Sequence, residues 1–521
     1  MNTQQQRVIL ESIFVIAVTL VFGLAISMLG ALALKFQIAF AVGLVALLFI
    51  CLIPARRTLC LFLWVLIQPL SIEKILYTAP PLWPSLRGLE IVFNAGDAVL
   101  VLLLAILLGE KIASGKPMFI WTTQSKIFLS LLAWAIFSYL VHLAFLHSPY
   151  VESAPFGILH FFRNLAFVLI IGSAIQTRAD LIWVLIAVVT IIVIESILVG
   201  LSFATGEAFN FSRLIGLPVV MQKYSVGGEQ VSRAAGTLGV PNQQALFHAM
   251  YTFLIIGLLS AKNSFVRYAA LVAILMSFVA VIFTFSRSAW FSIAIASLLI
   301  FVVFLKRREI TPKAWLIGSF LSILMIGVLS VLAQPIIERL TKGDDGATDS
   351  RVRMISLATD LAMQHPFIGV GPYGFVEAGL NLYPPGQKET EWVPLGDKAI
   401  VPPLGRLELS TTIIPGQKPI IVPLPVHNKY LLMVSELGIV GLLLWLLVFK
   451  TLYSEVKFCS RSADPLLRFL GVAGMAVILV ALIYMMLDLF SDDKTLQTLL
   501  FPLVVVSAAY RLSKNGEVVT K

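Results

Sequence analysis

Charge is what this sequence has least of. Of its 521 residues 13% are charged and 59% hydrophobic, where a soluble domain carries about 25% charged residues. With a mean hydropathy of +0.94, a soluble globular fold is excluded. Cysteine is scarce as well. Cys51, Cys60 and Cys459 are the only three, too few and too scattered for a disulfide framework. No repeat at a period of about 20–50 residues is visible, which excludes a solenoid. The polar loops hold no Asp-x-Asp pair and no clustered His and Cys, so no metal and no cofactor is implied.

What remains is apolar and organised in blocks of about 18–23 residues, the length that crosses a hydrocarbon core of about 30 Å. Candidate spans run over 8–30, 33–53, 58–76, 90–109, 126–146, 158–176, 181–203, 243–261, 265–285, 288–305, 314–334, 430–450, 466–488 and 495–512. Gln68, Pro69, Glu73 and Lys74 interrupt the third and Arg163 the sixth. The fold class is therefore an all-α polytopic membrane protein with about 12–14 transmembrane helices. At the N-terminus, Arg7 and the Ala31-Leu32-Ala33 tripeptide have the look of a signal peptide. The intervening run is longer than a cleavable apolar region and contains Glu11, so an uncleaved first span is expected.

Lysine and arginine in short loops set the orientation. With the N-terminus inside, the inner connections hold Arg56–Arg57, Lys111, Lys116, Lys126, Lys306–Arg307–Arg308, Lys313, Lys450, Lys457 and Arg461, followed by a tail with Arg511, Lys514 and Lys521. The short outer connections hold almost none. The net charge of +10 is thus a topology signal rather than a nucleic-acid surface, and the three cysteines fall on the inner side.

Two long outer segments break the rhythm, and loops longer than about 12–15 residues are usually functional or disordered. The first, 205–242, is rich in glycine. The second, 335–429, is rich in proline from Pro335 through Pro425. Within it, Met354, Leu357, Ala358 and Leu361 recur at helical spacing opposite Arg353, Ser356, Asp360 and Gln364, with Asp349–Ser350 as a start and Pro366 as a stop. This predicts a surface amphipathic helix over 351–365, too short and polar to span. A glycine-rich turn follows at 369–374, and then an extended stretch of β or polyproline character.

The outer basic residues cluster. Arg287 sits in a polar turn between two spans, Arg351 and Arg353 open the surface helix, and Arg233 precedes a glycine-containing segment. His427 stands where the chain re-enters the membrane. Taken singly, Arg287 fits a snorkelling interfacial residue, Arg351 and Arg353 a solvated helix face, and His427 an interfacial histidine. Taken together they fit phosphate chemistry. Guanidinium forks bind phosphate bidentately, and a histidine titrating near neutrality can accept a proton from a sugar hydroxyl. Glu195 lies inside a span, where ionisable residues are costly. His160 and Arg163 lie near the outer end of another span.

These residues occur in Arg233-Ala-Ala-Gly-Thr-Leu-Gly-Val-Pro-Asn242, in Thr284-Phe-Ser-Arg-Ser288, from Arg351 to Gly-Val-Gly-Pro-Tyr-Gly374, and in His427-Asn-Lys-Tyr-Leu431 leading to Glu436-Leu-Gly-Ile-Val-Gly441. In order and in placement relative to the spans, these motifs over about 230–450 resemble the O-antigen ligase-like proteins. That family includes lipopolysaccharide O-antigen ligases, polysaccharide polymerases and some protein O-oligosaccharyltransferases. The resemblance implies a GT-C-like, metal-independent glycosyltransferase of the bacterial inner membrane. Its donor would be an undecaprenyl-diphosphate-linked glycan, and its acceptor lipid A core, a protein or another glycan. The active site would be periplasmic and the N-terminus cytoplasmic.

Carried onto this sequence, the family's essential residues look like Arg287, one of Arg351 or Arg353, and His427 as base. Arg233 joins the diphosphate-binding set, and Asn428, Arg163 and His160 border the acceptor or lipid groove. The organisation expected is N-terminal helices over 1–204, central helices with the first periplasmic loop (205–242) over 205–334, a large periplasmic loop over 335–429, and C-terminal helices with a cytoplasmic tail over 430–521. The stretch from Gly374 to His427 is longer than the family pattern, and acceptor choice is expected to reside there. An O-antigen or exopolysaccharide polymerase is the alternative within the family. A glycolipid flippase predicts paired halves and broken midplane helices. A non-catalytic scaffold predicts dispensable Arg287 and His427.

Overall fold

The computed structural model describes residues 55–70, 72–78, 90–115, 117–146, 152–207, 209, 223–226, 229–307, 337, 347–382, 393–395, 399–401, 408–412, 420–488 and 493–519. The helices among them are α1 (Arg56–Ile67), α2 (Ala95–Ser114), α3 (Thr123–Val141), α4 (Ala154–Ala174), α5 (Arg178–Thr205), α6 (Pro241–Leu254), α7 (Ser264–Phe283), α8 (Arg287–Lys306), α9 (Ala347–Gln364), α10 (Phe375–Leu382), α11 (Lys429–Cys459), α12 (Pro465–Leu487) and α13 (Asp493–Val519). Four short antiparallel pairs accompany them: β1 (Glu73–Thr78) with β2 (Glu90–Asn94), β3 (Lys223–Val226) with β4 (Glu229–Ser232), β5 (Val393–Leu395) with β6 (Ala399–Val401), and β7 (Glu408–Thr412) with β8 (Ile420–Leu424).

Among the described residues, 9 helices are long and apolar enough to cross a membrane: α3 to α8 and α11 to α13, three of them counted with or without a terminal turn. The molecule is an all-α polytopic membrane protein. The spans expected at 8–30, 33–53 and 314–334 lie outside the described residues. The span expected at 58–76 is corrected. Helix α1 ends at Ile67, one 3-10 turn over Gln68–Leu70 contains Pro69, and the chain continues as β1. Proline lacks the N–H that would extend the helix. The next expected span starts late for a related reason. Its first residues form β2, and α2 begins only after Asn94 and Asp97 close a capping box.

Helix α12 packs against α6, α8, α11 and α13. Its C-terminal end meets the start of α6, the α7–α8 turn and the entry to α11, so those four chain segments gather at one end of the bundle. Cys60 and Cys459 are buried, and Cys51 lies outside the described residues.

Helix α9 buries the apolar face that its spacing predicts: Met354, Leu357, Ala358 and Leu361 pack with Val370, Phe375, Ala378, Val426 and Leu432. Each of the larger side chains among them contributes about 1.5–3 kcal/mol on burial. This small core binds α9 and α10 to the segment carrying His427.

A second joint fixes the same unit to the bundle. Helix α11 unwinds at Gly438, whose φ is 69°, in the left-handed region that glycine tolerates. Gly369 faces it with φ 67°. A Cβ on Gly369 would lie 2.2 Å from the Glu436 carbonyl carbon, and one on Gly438 would lie 2.1 Å from the Phe367 carbonyl oxygen. The freed backbone groups pair across the joint: Val370 N donates to Ser435 O (2.9 Å), Gly371 N to Glu436 O (3.0 Å) and Ile439 N to Pro366 O (2.8 Å). Carbonyls left over are met by one face of α3. Trp134 donates to Leu437 O (2.8 Å), Ser138 to Ile368 O (2.9 Å) and His142 to Gly369 O (2.8 Å). A broken helix inside a membrane requires such replacement donors.

Candidate functional site

Arg233, Arg287 and Arg351 come from three separated stretches of chain and line one cavity of about 250 Å³. Asn242, Phe285, Ser286, Ser288, Phe291 and Leu487 complete the described lining, and none of these residues is acidic. A concentration of guanidinium without carboxylate favours a polyanion.

Local sequence explains each placement. Helix α7 ends at Phe283 and α8 starts at Arg287, so only Thr284, Phe285 and Ser286 make the turn. Phe285 adopts φ 52°, a strained value for a bulky residue. Its ring is fully buried beside Trp290 and Phe203, which holds the turn in place. Arg287 becomes the first residue of α8, where unpaired N–H groups give the helix end a partial positive charge. A guanidinium there is unfavourable until an anion joins it.

Arg233 is anchored as well as aimed. Its Nε donates to Thr284 O (3.1 Å) and its Nη2 to Asn242 Oδ1 (2.6 Å). Ala234 N donates to Phe283 O at 3.2 Å. From α12, the Tyr484 hydroxyl donates to Asn242 O at 2.7 Å. That uses its single proton, so Ser286 Oγ, 3.2 Å away, is the donor in their contact. Arg351 reaches the cavity from the first half of α9. Arg353 lies on the exposed side of the same helix and does not line it.

His427 does not line the described cavity, but the carboxylate beside it adjoins the wall. His427 Nδ1 lies 3.5 Å from Asp488 Oδ1, with the side chains 15% and 11% exposed. Asp488 directly follows Leu487, a lining residue. The histidine is held by its neighbours. Asn428 caps α11 by accepting from Tyr430 N and Leu431 N, both at 3.0 Å, and donates to Met486 O at 3.3 Å. The Tyr430 hydroxyl donates to Leu482 O at 2.9 Å. Thus the last turns of α12 carry both a cavity wall and the seat of His427. The structure gives Asn428 a capping role.

Arg163 and His160 sit elsewhere. Arg163 pairs with Asp97 at 2.7 Å, against the cap of α2. His160 is buried on α4, its ring 5.3 Å from that of Tyr373. Neither lines the cavity. In the same region Glu377 accepts from Ser153 Oγ (2.7 Å) and Ser153 N (3.3 Å) at the start of α4. Burial raises the Glu377 carboxyl above its usual range, against those hydrogen bonds.

Residues 271–396 match the O-antigen ligase family. The match is to that segment, and it is similarity over part of the chain. The similarity supports a ligase- or polymerase-type reading of the membrane bundle. The matched residues run from within α7 past β5, and include Arg287, Arg351 and Arg353 but not Arg233 or His427. No curated protein matches the chain.

Sequence reasoning had no role for Asp488, Tyr484 or the side chain of Asn242. Asp488 ends an apolar span, where an acidic residue reads as an interfacial one. Its placement on the same side as His427 was the available signal.

Proposed function

We propose that the protein transfers a glycan from a polyprenyl diphosphate to an acceptor hydroxyl on the outer, periplasmic side of the bacterial inner membrane. The observation carrying this reading is the convergence of Arg233, Arg287 and Arg351 on one cavity whose described lining has no acid. The acceptor oxygen attacks the anomeric carbon, and the bond from that carbon to the phosphate oxygen breaks. The polyprenyl diphosphate departs with an added negative charge, which the three guanidinium groups stabilise as it develops. The acceptor's proton passes to His427, and Asp488 at 3.5 Å steadies the imidazolium that forms, as a carboxylate does for a catalytic histidine. This division of labour needs no covalent enzyme intermediate. A lipid A core, a protein or another glycan can serve as acceptor in this chemistry, the last making the protein a polymerase.

The test is transfer by purified protein supplied with polyprenyl-diphosphate glycan and candidate acceptors. Arg287→Ala and His427→Ala each lower turnover by about 10²- to 10³-fold, the range for losing one charge-stabilising donor or one proton acceptor. Undiminished transfer in both variants would sink the assigned site. A product ladder growing by single repeats identifies the polymerase.

A further inference from the structure

We propose that Glu195, buried within α5, is a positioning residue for the arginine cavity: its carboxyl group seats the segment that presents Arg233 and Asn242. The inference rests on reading that cavity as the diphosphate site.

Glu195 has 0% exposure. It lies ten residues before the end of α5 at Thr205, about 15 Å at 1.5 Å per residue. An ionisable group inside a membrane helix is retained only with partners, and the partners here are Thr237, before α6, and Gln244, in the first turn of α6. Thr237 N donates to Oε2 at 3.0 Å, and the Thr237 hydroxyl makes a short contact with Oε1. That hydroxyl also reaches Pro69 O at 2.9 Å, which ties the segment to the end of α1. The fit is steric as well. A Cβ at Gly236 would lie 2.0 Å from Glu195 Oε2, so the carboxyl group occupies the space that any other residue there would need.

Geometry connects this seat to the cavity. The segment between β4 and α6 runs from Arg233 to Val240, with Ala234, Ala235, Thr237 and Leu238 all buried. Gly239 N donates to Gly236 O at 3.2 Å and closes a turn around the seat. Arg233 lies four residues before Thr237 and Asn242 five after it, and their side chains meet at 2.6 Å. The segment is therefore held at both ends by the α7–α8 turn and α12, and in its middle by Glu195. An apolar residue at 195 could fill the space, but it would leave the inward-facing Thr237 N–H unpaired. Without that bond the turn is free to shift, and with it the direction of the Arg233 guanidinium.

Full-length protein in detergent carries the test. In the transfer assay, Glu195→Ala lowers kcat by about as much as Arg233→Ala, and the double variant is no slower than Arg233→Ala alone, because both remove one function. Glu195→Gln, which keeps an acceptor for Thr237 N, restores most of the rate. In hydrogen exchange, Glu195→Ala speeds exchange of the 234–239 amides, and Glu195→Gln does not. Should Glu195→Ala fail to give monodisperse protein, Glu195→Leu, which fills the space and still leaves Thr237 N unpaired, replaces it in both measurements. Three results overturn the proposal: unchanged turnover in Glu195→Ala, penalties that multiply in the double variant, or unchanged exchange over 234–239. Full transfer by both Arg233→Ala and Arg287→Ala overturns the diphosphate reading instead, and the exchange measurement distinguishes the two failures.

Discussion

Arg351 and Arg353 illustrate what a residue type can and cannot declare. Both read as basic residues opening an amphipathic helix, and nothing in their spacing to other motifs chooses between them. Two positions apart on a helix they point about 200° away from each other, so only one can face a given cavity. The buried face of Met354, Leu357, Ala358 and Leu361 sets the roll of α9, and that roll turns Arg351 to the cavity and Arg353 to the exposed side. Arg351→Ala is expected to reduce turnover by about 10²-fold or more, and Arg353→Ala to stay within about twofold of the parent. Parallel transfer rates check this, and the reverse order of effects removes Arg351 from the site. Asp488 shows the opposite limit. It becomes interpretable only when folding brings it to His427, because the two lie on separate segments with two spans between them.

At the scale of elements, much was legible where periodicity or punctuation was strong. Helix α9 and its core face followed from apolar spacing, and its end from Pro366. The span expected from 243 begins two residues earlier, at Pro241. Where a segment derives its shape from a distant partner, local pattern failed. The apolar run at 58–76 is not one helix, since Pro69 stops it and β2 takes the continuation as a partner. The glycines of 369–374 and 436–441 were visible as two motifs. Their meaning is a single joint, in which Gly369 and Gly438 allow two backbones to touch, and no one-dimensional signal pairs them.

The joint also carries a titratable group at its edge. His365 follows α9, and its ring centroid lies 6.0 Å from that of His142. Burial, and then the nearby His142, lower the His365 pKa below its usual 6.5. The folded state thus binds its proton less readily than the unfolded state does. The proton count of the unfolded state exceeds that of the folded state as pH falls below about 6.5, so stability rises with pH in that window and is lost on acidification. Amide exchange over 367–371, corrected for intrinsic rates, should therefore quicken between about pH 7.5 and 5.5. His365→Asn should flatten that response. An identical pH response in His365→Asn assigns the effect to other groups.

Among the described residues, two groups of basic residues at opposite ends of the bundle have different surroundings. At the end remote from the cavity they are paired within the fold. Arg57 bonds Glu110 and Asp180, Arg178 bonds Asp464 at 2.7 Å, and Arg307 bonds Ser460 beyond the end of α11. At the other end, Arg233, Arg287 and Arg351 surround a cavity. The lysine and arginine bias of short loops is the ground for proposing that the first end is cytoplasmic, and a guanidinium cavity at the opposite surface suits a lipid diphosphate presented outside. This assignment has a direct consequence. Arg353 on α9 and Lys514 on α13 are both exposed, and three candidate spans, α11, α12 and α13, separate them in the chain. An odd number of crossings puts them on opposite sides. With Cys60 and Cys459 buried and Cys51 replaced by serine, background labelling is low. A membrane-impermeant maleimide applied to intact spheroplasts should then modify Arg353→Cys, and modify Lys514→Cys only after lysis. Labelling of both from the same side breaks the three-span count. Exchange of the two outcomes moves the arginine cavity to the cytoplasmic face, where a periplasmic transfer reaction could not use it.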